Sequence, residues 1–326
     1  MFRDEDTRFH TPAEVPADWA ETNFFYCYVP EHRVIAWVYL MARPGVGALK
    51  ADVEVNGDLS LDPWGAWYSD NQNHLALPER LESLDLPNGL SVHAHSIRDY
   101  RIDYVGIDRT ELHLDVQGLM EPFDIHDPDM DPLAVVDPAR RGDGWDFAKA
   151  YASHFDMTCR VTGKLHVRGR AYDVSCVSTM DHSWGRRPER EQGPMAWLNA
   201  HFGEDYALQS IWRFEPRAKP EAQFQLAHGY ALVDGRVRGM KAGSLVAHRL
   251  GRFPLGYELT LIDVDGRVHA AYGSALSLHL WPVYGCTSVP TGLLRWQAGA
   301  RVGYGTSQES HTHDRETGAQ LRDASG

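Results

Sequence analysis

The stretch Asp181-His182-Ser183-Trp184-Gly185-Arg186-Arg187 gathers a carboxyl, an imidazole, a hydroxyl, an indole and two guanidiniums around one glycine. These groups can move protons, face a cation and hold an anion. Acid catalysis needs a carboxyl or imidazole that stays partly protonated near neutral pH. An aromatic face can stabilise the cation that protonation creates. The stretch follows a strand-like run, Ala171 to Met180. A strand ending at Met180 would deliver the cluster to a sheet terminus, with Gly185 turning the chain, and sites are commonly built there. The same residues also fit a plain ion-pair latch between Asp181 and an arginine beside a packed Trp184.

The elements that must position this cluster are strands. Short alternating runs dominate, and long amphipathic helical patterns are scarce. One series holds Val34–Met41, closed by Arg43-Pro44-Gly45, then Ala51–Val55, turning at Asn56-Gly57 as a hairpin would. Leu90–His95, Tyr100–Tyr104 and Glu111–Val116 complete it. A second series holds Asp156–Val161, Lys164–Val167, Tyr172–Met180, Ala207–Phe214, His228–Val233, Tyr257–Asp263 and Val268–Leu280. The Pro/Asp-rich segment Glu121–Asp137 and a short helix over Gly142–Ser153 part them, and Arg186–Gln192 reads as a charged loop. So many evenly spaced strands predict an all-β chain of two barrel-like halves, 1–145 and 146–326, with the Asp181 cluster in the second.

The 326 residues carry 32 Lys and Arg against 45 Asp and Glu, a net charge of −13, with no basic stripe. That balance argues against nucleic acid or an anionic membrane surface as a partner. Cys27, Cys159, Cys176 and Cys286 lie far apart, which argues against a zinc ribbon or disulfide framework and for a reducing compartment. The N-terminus lacks a signal-peptide apolar core and no run is long enough to span a bilayer, so the expected location is the cytoplasm. Asp124–Asp131 lacks the central glycine and closing glutamate of an EF-hand loop. His93 and His95 share a strand face but lack a third ligand, and His311 and His313 sit in a polar tail. No phosphate-binding glycine loop and no G-x-S-x-G elbow occurs. The expectation is no metal and no cofactor, in a chain compatible with a homo-oligomer. Ten Trp and fourteen Tyr, among them Trp37, Tyr39, Trp64, Tyr68 and Trp184, belong mostly to the core or its rim. A barrel mouth lined with such rings suits a small apolar ligand.

The Asp181–Arg187 cluster resembles the Asp-(His/Arg)-x-Trp-Gly signature of the superfamily of carotenoid hydratases (hydroxyneurosporene synthases) and AttH-like proteins. Glu21–Tyr26, Pro30-Glu31, Trp37–Leu40 and Arg43-Pro44 resemble the N-terminal block of its uncharacterised bacterial members. Tyr100–Tyr104, Leu112–Val116 and Glu121–Asp127 resemble the middle block, and Gly303-Tyr304-Gly305 with Glu309 the C-terminal one. The resemblance implies two tandem lipocalin-like antiparallel β-barrels and an apolar ligand, with no obligatory metal or nucleotide. It also implies a hydratase, dehydratase or isomerase acting on a terpenoid-like alkene or allylic alcohol, with a pericyclase-type cyclase or a ligand carrier as alternatives. On that reading Asp181 is the acid, and His182 orients it or serves as water base. Trp184 and Tyr39 face the cation, and Trp37, Trp64, Tyr68, Arg186, Arg187 and Tyr304 bind substrate. A guanidinium paired with Asp181 would lower its pKa and move the acid role to Glu21, Glu309 or a tyrosine.

Overall fold

The protein, as a computed structural model, is described over residues 2–134, 152–188 and 193–312. Among the described residues its alternating sequence is predominantly strand. Among the described residues no helix reaches seven residues, and none is long and apolar enough to cross a membrane.

The first sheet has eleven strands. It contains β1 (Trp19–Val29), β2 (Val34–Arg43), β3 (Ala48–Asn56), β4 (Tyr68–Ala76), β5 (Ser83–Asp85), β6 (Leu90–Ala94), β7 (Asp99–Val105), β8 (Glu111–Gly118), β9 (Phe123–Asp124), β10 (Ser153–Val167) and β11 (Arg170–Arg186). Its order is β4-β3-β2-β1-β11-β10-β8-β7-β6-β5, with β9 on β10, and it curls into a half-barrel. The second sheet contains β12 (Met195–His201), β13 (Tyr206–Phe214), β14 (Phe224–Val233), β15 (Arg236–Leu250), β16 (Phe253–Asp263), β17 (Val268–Tyr284), β18 (Thr287–Ala298), β19 (Arg301–Glu309) and β20 (His311–Thr312). Strands β12 to β19 close into an eight-stranded barrel through the β17–β18 and β12–β19 pairings. The tandem lipocalin-like all-β architecture implied by the sequence is present.

Burial explains the strand sequences. Strands β7 and β8 alternate buried and open positions because one face meets solvent. Strands β1, β2 and β3 are buried at nearly every position. One of their faces packs inside the half-barrel, as Phe25 does on Tyr100. The other packs on the outside of the closed barrel, where Phe24 meets Trp197 and Trp281. One apolar core therefore joins the two sheets. A second, built on Trp212, Tyr257 and Trp296, fills the closed barrel.

Several expectations change. The 145/146 boundary lies outside the described residues, as does most of the expected helix over 142–153 and part of the charged loop. The hydrogen-bonded change of sheet falls between Arg186 and Met195, because β10 and β11 pair with β8 and β1. The Asp181 cluster thus belongs to the first sheet. Strand β11 does not end at Met180 but runs through Arg186, and Gly185 lies within it. Asn56-Gly57 does not close a tight hairpin, since β3 reaches β4 through a loop that docks on β17, with Ser60 N bonding Leu278 O. The runs 156–161 and 164–167 are one strand, continued through Gly163. A Cβ there would lie 1.9 Å from the His113 carbonyl oxygen.

Candidate active site

Register places the chemistry. Antiparallel pairing aligns Asp156 with Asp181, Asp181 with Phe24, Phe24 with Tyr39, and Tyr39 with Asp52 across five strands. The next row runs His154, Ser183, Thr22, Met41 and Lys50. Directly paired residues share a sheet face, and so do alternate residues along a strand. Both rows therefore look toward the closed barrel. Between them and its outer wall lies a cavity of about 100 Å³. Thr22, Phe24, Tyr39, His154, Asp181, Ser183 and Arg187 line the first wall, and Trp197, Trp281, Val283 and Gln308 are prominent in the second.

Asp181 projects into this cavity, and among the described residues no donor binds its carboxyl. Burial lifts its pKa to about 7; His154 pulls it down, Asp156 adds to the rise, and Arg187 pulls it down. Beside it, Asp156 is held by three donors. These are His154 Nε2 at 2.9 Å, Trp197 Nε1 at 2.8 Å and Gln209 Nε2 at 2.9 Å. Burial opposes charging of His154, but the charge and hydrogen bond of Asp156, with Asp181 behind them, raise its pKa above the usual value. Among the described residues the arrangement is an acid with no donor on its carboxyl, next to an imidazole oriented by a fixed carboxylate. Arg187 does not pair with Asp181. Its guanidinium bonds Ser183 Oγ, Thr22 Oγ1 (3.2 Å) and the Tyr284 hydroxyl (3.4 Å), which in turn meets the Tyr39 hydroxyl at 2.8 Å.

Strand alternation splits the Asp181 cluster. Asp181 and Ser183 face the cavity, whereas His182 and Trp184 point to the opposite face of β11. There Glu21 Oε1 accepts from His182 Nε2 at 2.9 Å and from His10 Nδ1 at 2.8 Å, and Glu21 Oε2 accepts from the His10 backbone N–H at 2.9 Å. His10 stacks flat on Trp184, centroids 3.5 Å apart. His182, Glu21 and Trp184 therefore sit across the sheet from the cavity. Glu309 lies inside the closed barrel, bound by Arg249 and Tyr257. Arg186 pairs with Asp18 at the surface. Trp64 is 89 % exposed. Tyr68 bonds Tyr104, and Tyr304 packs on Tyr28. Trp37 is buried one row from the cavity, against Trp281. Of the sequence candidates, Asp181, Tyr39 and Arg187 line the cavity. His154, Asp156, Trp197 and Trp281 were missed. The alternation of His154 and Asp156 at the head of β10 was a legible signal, but it needed the β10–β11 register to give it meaning.

His10, Glu21 and His182 bring three potential metal-ligating atoms within 4.8 Å of one another. Glu21 already accepts three hydrogen bonds, and burial's upward push on its carboxyl is outweighed by the two imidazoles, which lower its pKa. This is the pattern of a closed hydrogen-bond network tying the N-terminal segment to β11. His93, by contrast, bonds Ser83, and Asp131 bonds His228.

Fold and site together define a tandem-barrel protein with a ligand-sized cavity between a half-barrel and the outer wall of a closed barrel. The chain matches the family described as "Domain of unknown function (DUF7064)" over residues 3–313, and it belongs to that family. No curated protein matches it. Among solved structures it is similar to kievitone hydratase from Nectria haematococca, with a TM-score of 0.56, 10% identity, and 93% of this chain and 92% of that one covered. It is similar to CghA with Sch210972, with a TM-score of 0.53, 12% identity and coverages of 92% and 90%. It is also similar to a putative AttH from Nitrosomonas europaea, with a TM-score of 0.51, 13% identity and coverages of 90% and 92%. The likeness to these three structures is one of fold.

Proposed function

We propose that the inter-sheet cavity is the active site of a hydratase, dehydratase or isomerase that works by acid catalysis on a terpenoid-like alkene or allylic alcohol. The observation that carries this reading is the Asp181 carboxyl, bound by no donor among the described residues, raised to about 7 and facing a cavity walled by Phe24, Tyr39, Trp197 and Trp281. A carboxyl with that pKa holds a proton at neutral pH and can release it. In hydration, Asp181 gives its proton to one alkene carbon, and the π pair becomes the new C–H bond. The adjacent carbon becomes cationic, water adds to it, and His154 takes the proton that water loses. Proton return from His154 to Asp181 through solvent restores the resting site. Dehydration of an allylic alcohol uses the pair differently: Asp181 protonates the hydroxyl, which leaves as water, and His154 takes the proton lost from the carbon next to the allylic cation. The likeness in fold to a hydratase supports the class.

The test is turnover in D₂O of C10 and C15 alkenes and allylic alcohols by the wild type and Asp181→Asn. Deuterium fixed at carbon in the hydrated product, lost in the variant, is the expected result. Undiminished product formation by Asp181→Asn would refute the acid role and leave a pericyclase-type cyclase. Ligand retained unchanged would leave a carrier.

A further inference from the structure

The cavity wall holds a second device, set behind Trp281. The Trp281 indole N–H donates to Asp52 Oδ2 at 2.9 Å. Asp52 is fully buried, and its other oxygen accepts from Lys50 Nζ at 2.7 Å, which also reaches Asn73 Oδ1 at 2.9 Å. Lys50 is only 5 % exposed. A buried ion pair is a poor source of stability, because desolvating both charges offsets their attraction. An uncharged asparagine at position 52 could accept the same indole hydrogen. The acid therefore asks for a role that needs its charge. An N–H donated to an anion pushes electron density into the indole ring and makes the ring face more negative. Trp281 is the part of this relay that reaches the cavity. Its ring stands edge to face with Tyr39, centroids 5.0 Å apart at 83°, with Phe24 at 6.1 Å.

We propose that Phe24, Tyr39 and Trp281 form a subsite for an organic cation, and that Asp52 is a positioning residue that polarises Trp281 toward it. This rests on the acid-catalysed reading, in which protonation leaves a tertiary carbocation, and it fixes where that charge sits. Phe24 and Tyr39 share the register row of Asp181, so a substrate protonated there puts its adjacent carbon against these rings. Burial lifts the pKa of Asp52 to about 7 against the pull of Lys50, with Glu54 adding to the rise, so the charge that polarises Trp281 is complete only above that pH. Arg187, which lines the cavity, is tied to the Ser183, Thr22 and Tyr284 hydroxyls, and Ser183 and Thr22 belong to the neighbouring row.

The probe is a matched pair, an alkyl trimethylammonium and its tert-butyl carbon isostere, titrated calorimetrically into the full chain at about pH 8.5, where Asp52 is ionised. Wild type should bind the ammonium roughly tenfold more tightly than the isostere, the scale of a desolvated cation–π contact. Asp52→Asn keeps an acceptor for the indole, so it should cut that ratio severalfold and leave the isostere's affinity in place. Trp281→Phe, which keeps a ring but removes the donor, should cut it as well and serves if Asp52→Asn does not fold. Equal binding of the two probes by wild type, or a ratio unchanged in the variants, overturns the proposal. Loss of the ratio in these variants beside full turnover by Asp181→Asn would instead keep the subsite and reject only the acid.

Discussion

Asp181→Asn keeps the shape of the side chain and removes the titrating group. The folded pKa of about 7 stands roughly three units above the 3.8 of a free carboxyl, and each unit is worth about 1.4 kcal/mol. Because the folded value is raised, the native chain binds this proton more tightly than the unfolded chain does. The contribution of Asp181 to stability is therefore greatest at low pH, declines as pH rises from near 3.8, and levels off above about 7. The full cost to the wild type reaches about 4 kcal/mol as an upper limit, since a carboxyl partly open to the cavity keeps some hydration. Asparagine carries none of it. Urea unfolding of both proteins at pH 5 and pH 8.5 should show the advantage of Asp181→Asn growing by roughly 2 to 3 kcal/mol between the two conditions. The same variant should lose on the order of 10² to 10⁴ in turnover. A variant that is less stable at pH 8.5 than the wild type would mean the carboxylate is a stabilising charge, and the ion-pair latch would be the correct description.

His154→Gln should lower turnover by on the order of 10²-fold with only a modest fall in melting temperature, because Gln can keep a donor to Asp156 but cannot take up a proton. Asp156→Ala leaves His154, Trp197 and Gln209 without their acceptor, and urea unfolding should show a loss of about 3 to 5 kcal/mol. Glu21→Gln should free the N-terminal segment, which is read by limited proteolysis before Trp19. In the wild type that protection depends on pH at both ends. Burial lowers the pKa of His10, but Glu21 and Asp6 raise it further, so this contribution is complete below 6.5 and is lost as pH rises through the raised value. Glu21 is lowered, so its contribution is complete above 4.5 and is lost in acid. Gly305→Ala would set a Cβ 2.0 Å from the Asn199 carbonyl oxygen, and should destabilise the chain by roughly 1 to 3 kcal/mol with loss of the β12–β19 contact.

Strand periodicity and the absence of long helical patterns made the all-β class legible, and β6, β7 and β8 could be read almost residue for residue because one face of each meets solvent. Strand β1 was not read as a strand, since burial on both faces erases alternation. For the same reason β11 could be read as far as Met180, but its polar continuation Asp181-His182-Ser183 looked like a loop. That misreading grouped His182 with Asp181, although one step along a strand reverses the side chain. Asp181 itself was legible from its type and company. Its partners His154 and Asp156 come from another strand, and Trp281 comes from the other sheet, so their convergence depends on pairing register, which a single sequence does not specify. Glu309 illustrates the opposite error. A buried acid in a recognised block serves the barrel core, where Arg249 and Tyr257 bind it.

The location of bound ligand tests the central claim most directly. A crystal structure of the protein soaked with a saturated C10 alcohol, which carries the hydroxyl but cannot eliminate through an allylic cation, should show the ligand between the two sheets. Its oxygen should lie within about 3 Å of the Asp181 carboxyl and its carbon chain against Trp281 and Tyr39. Ligand inside the closed barrel beside Glu309, or on the His182 face of β11, would contradict the account.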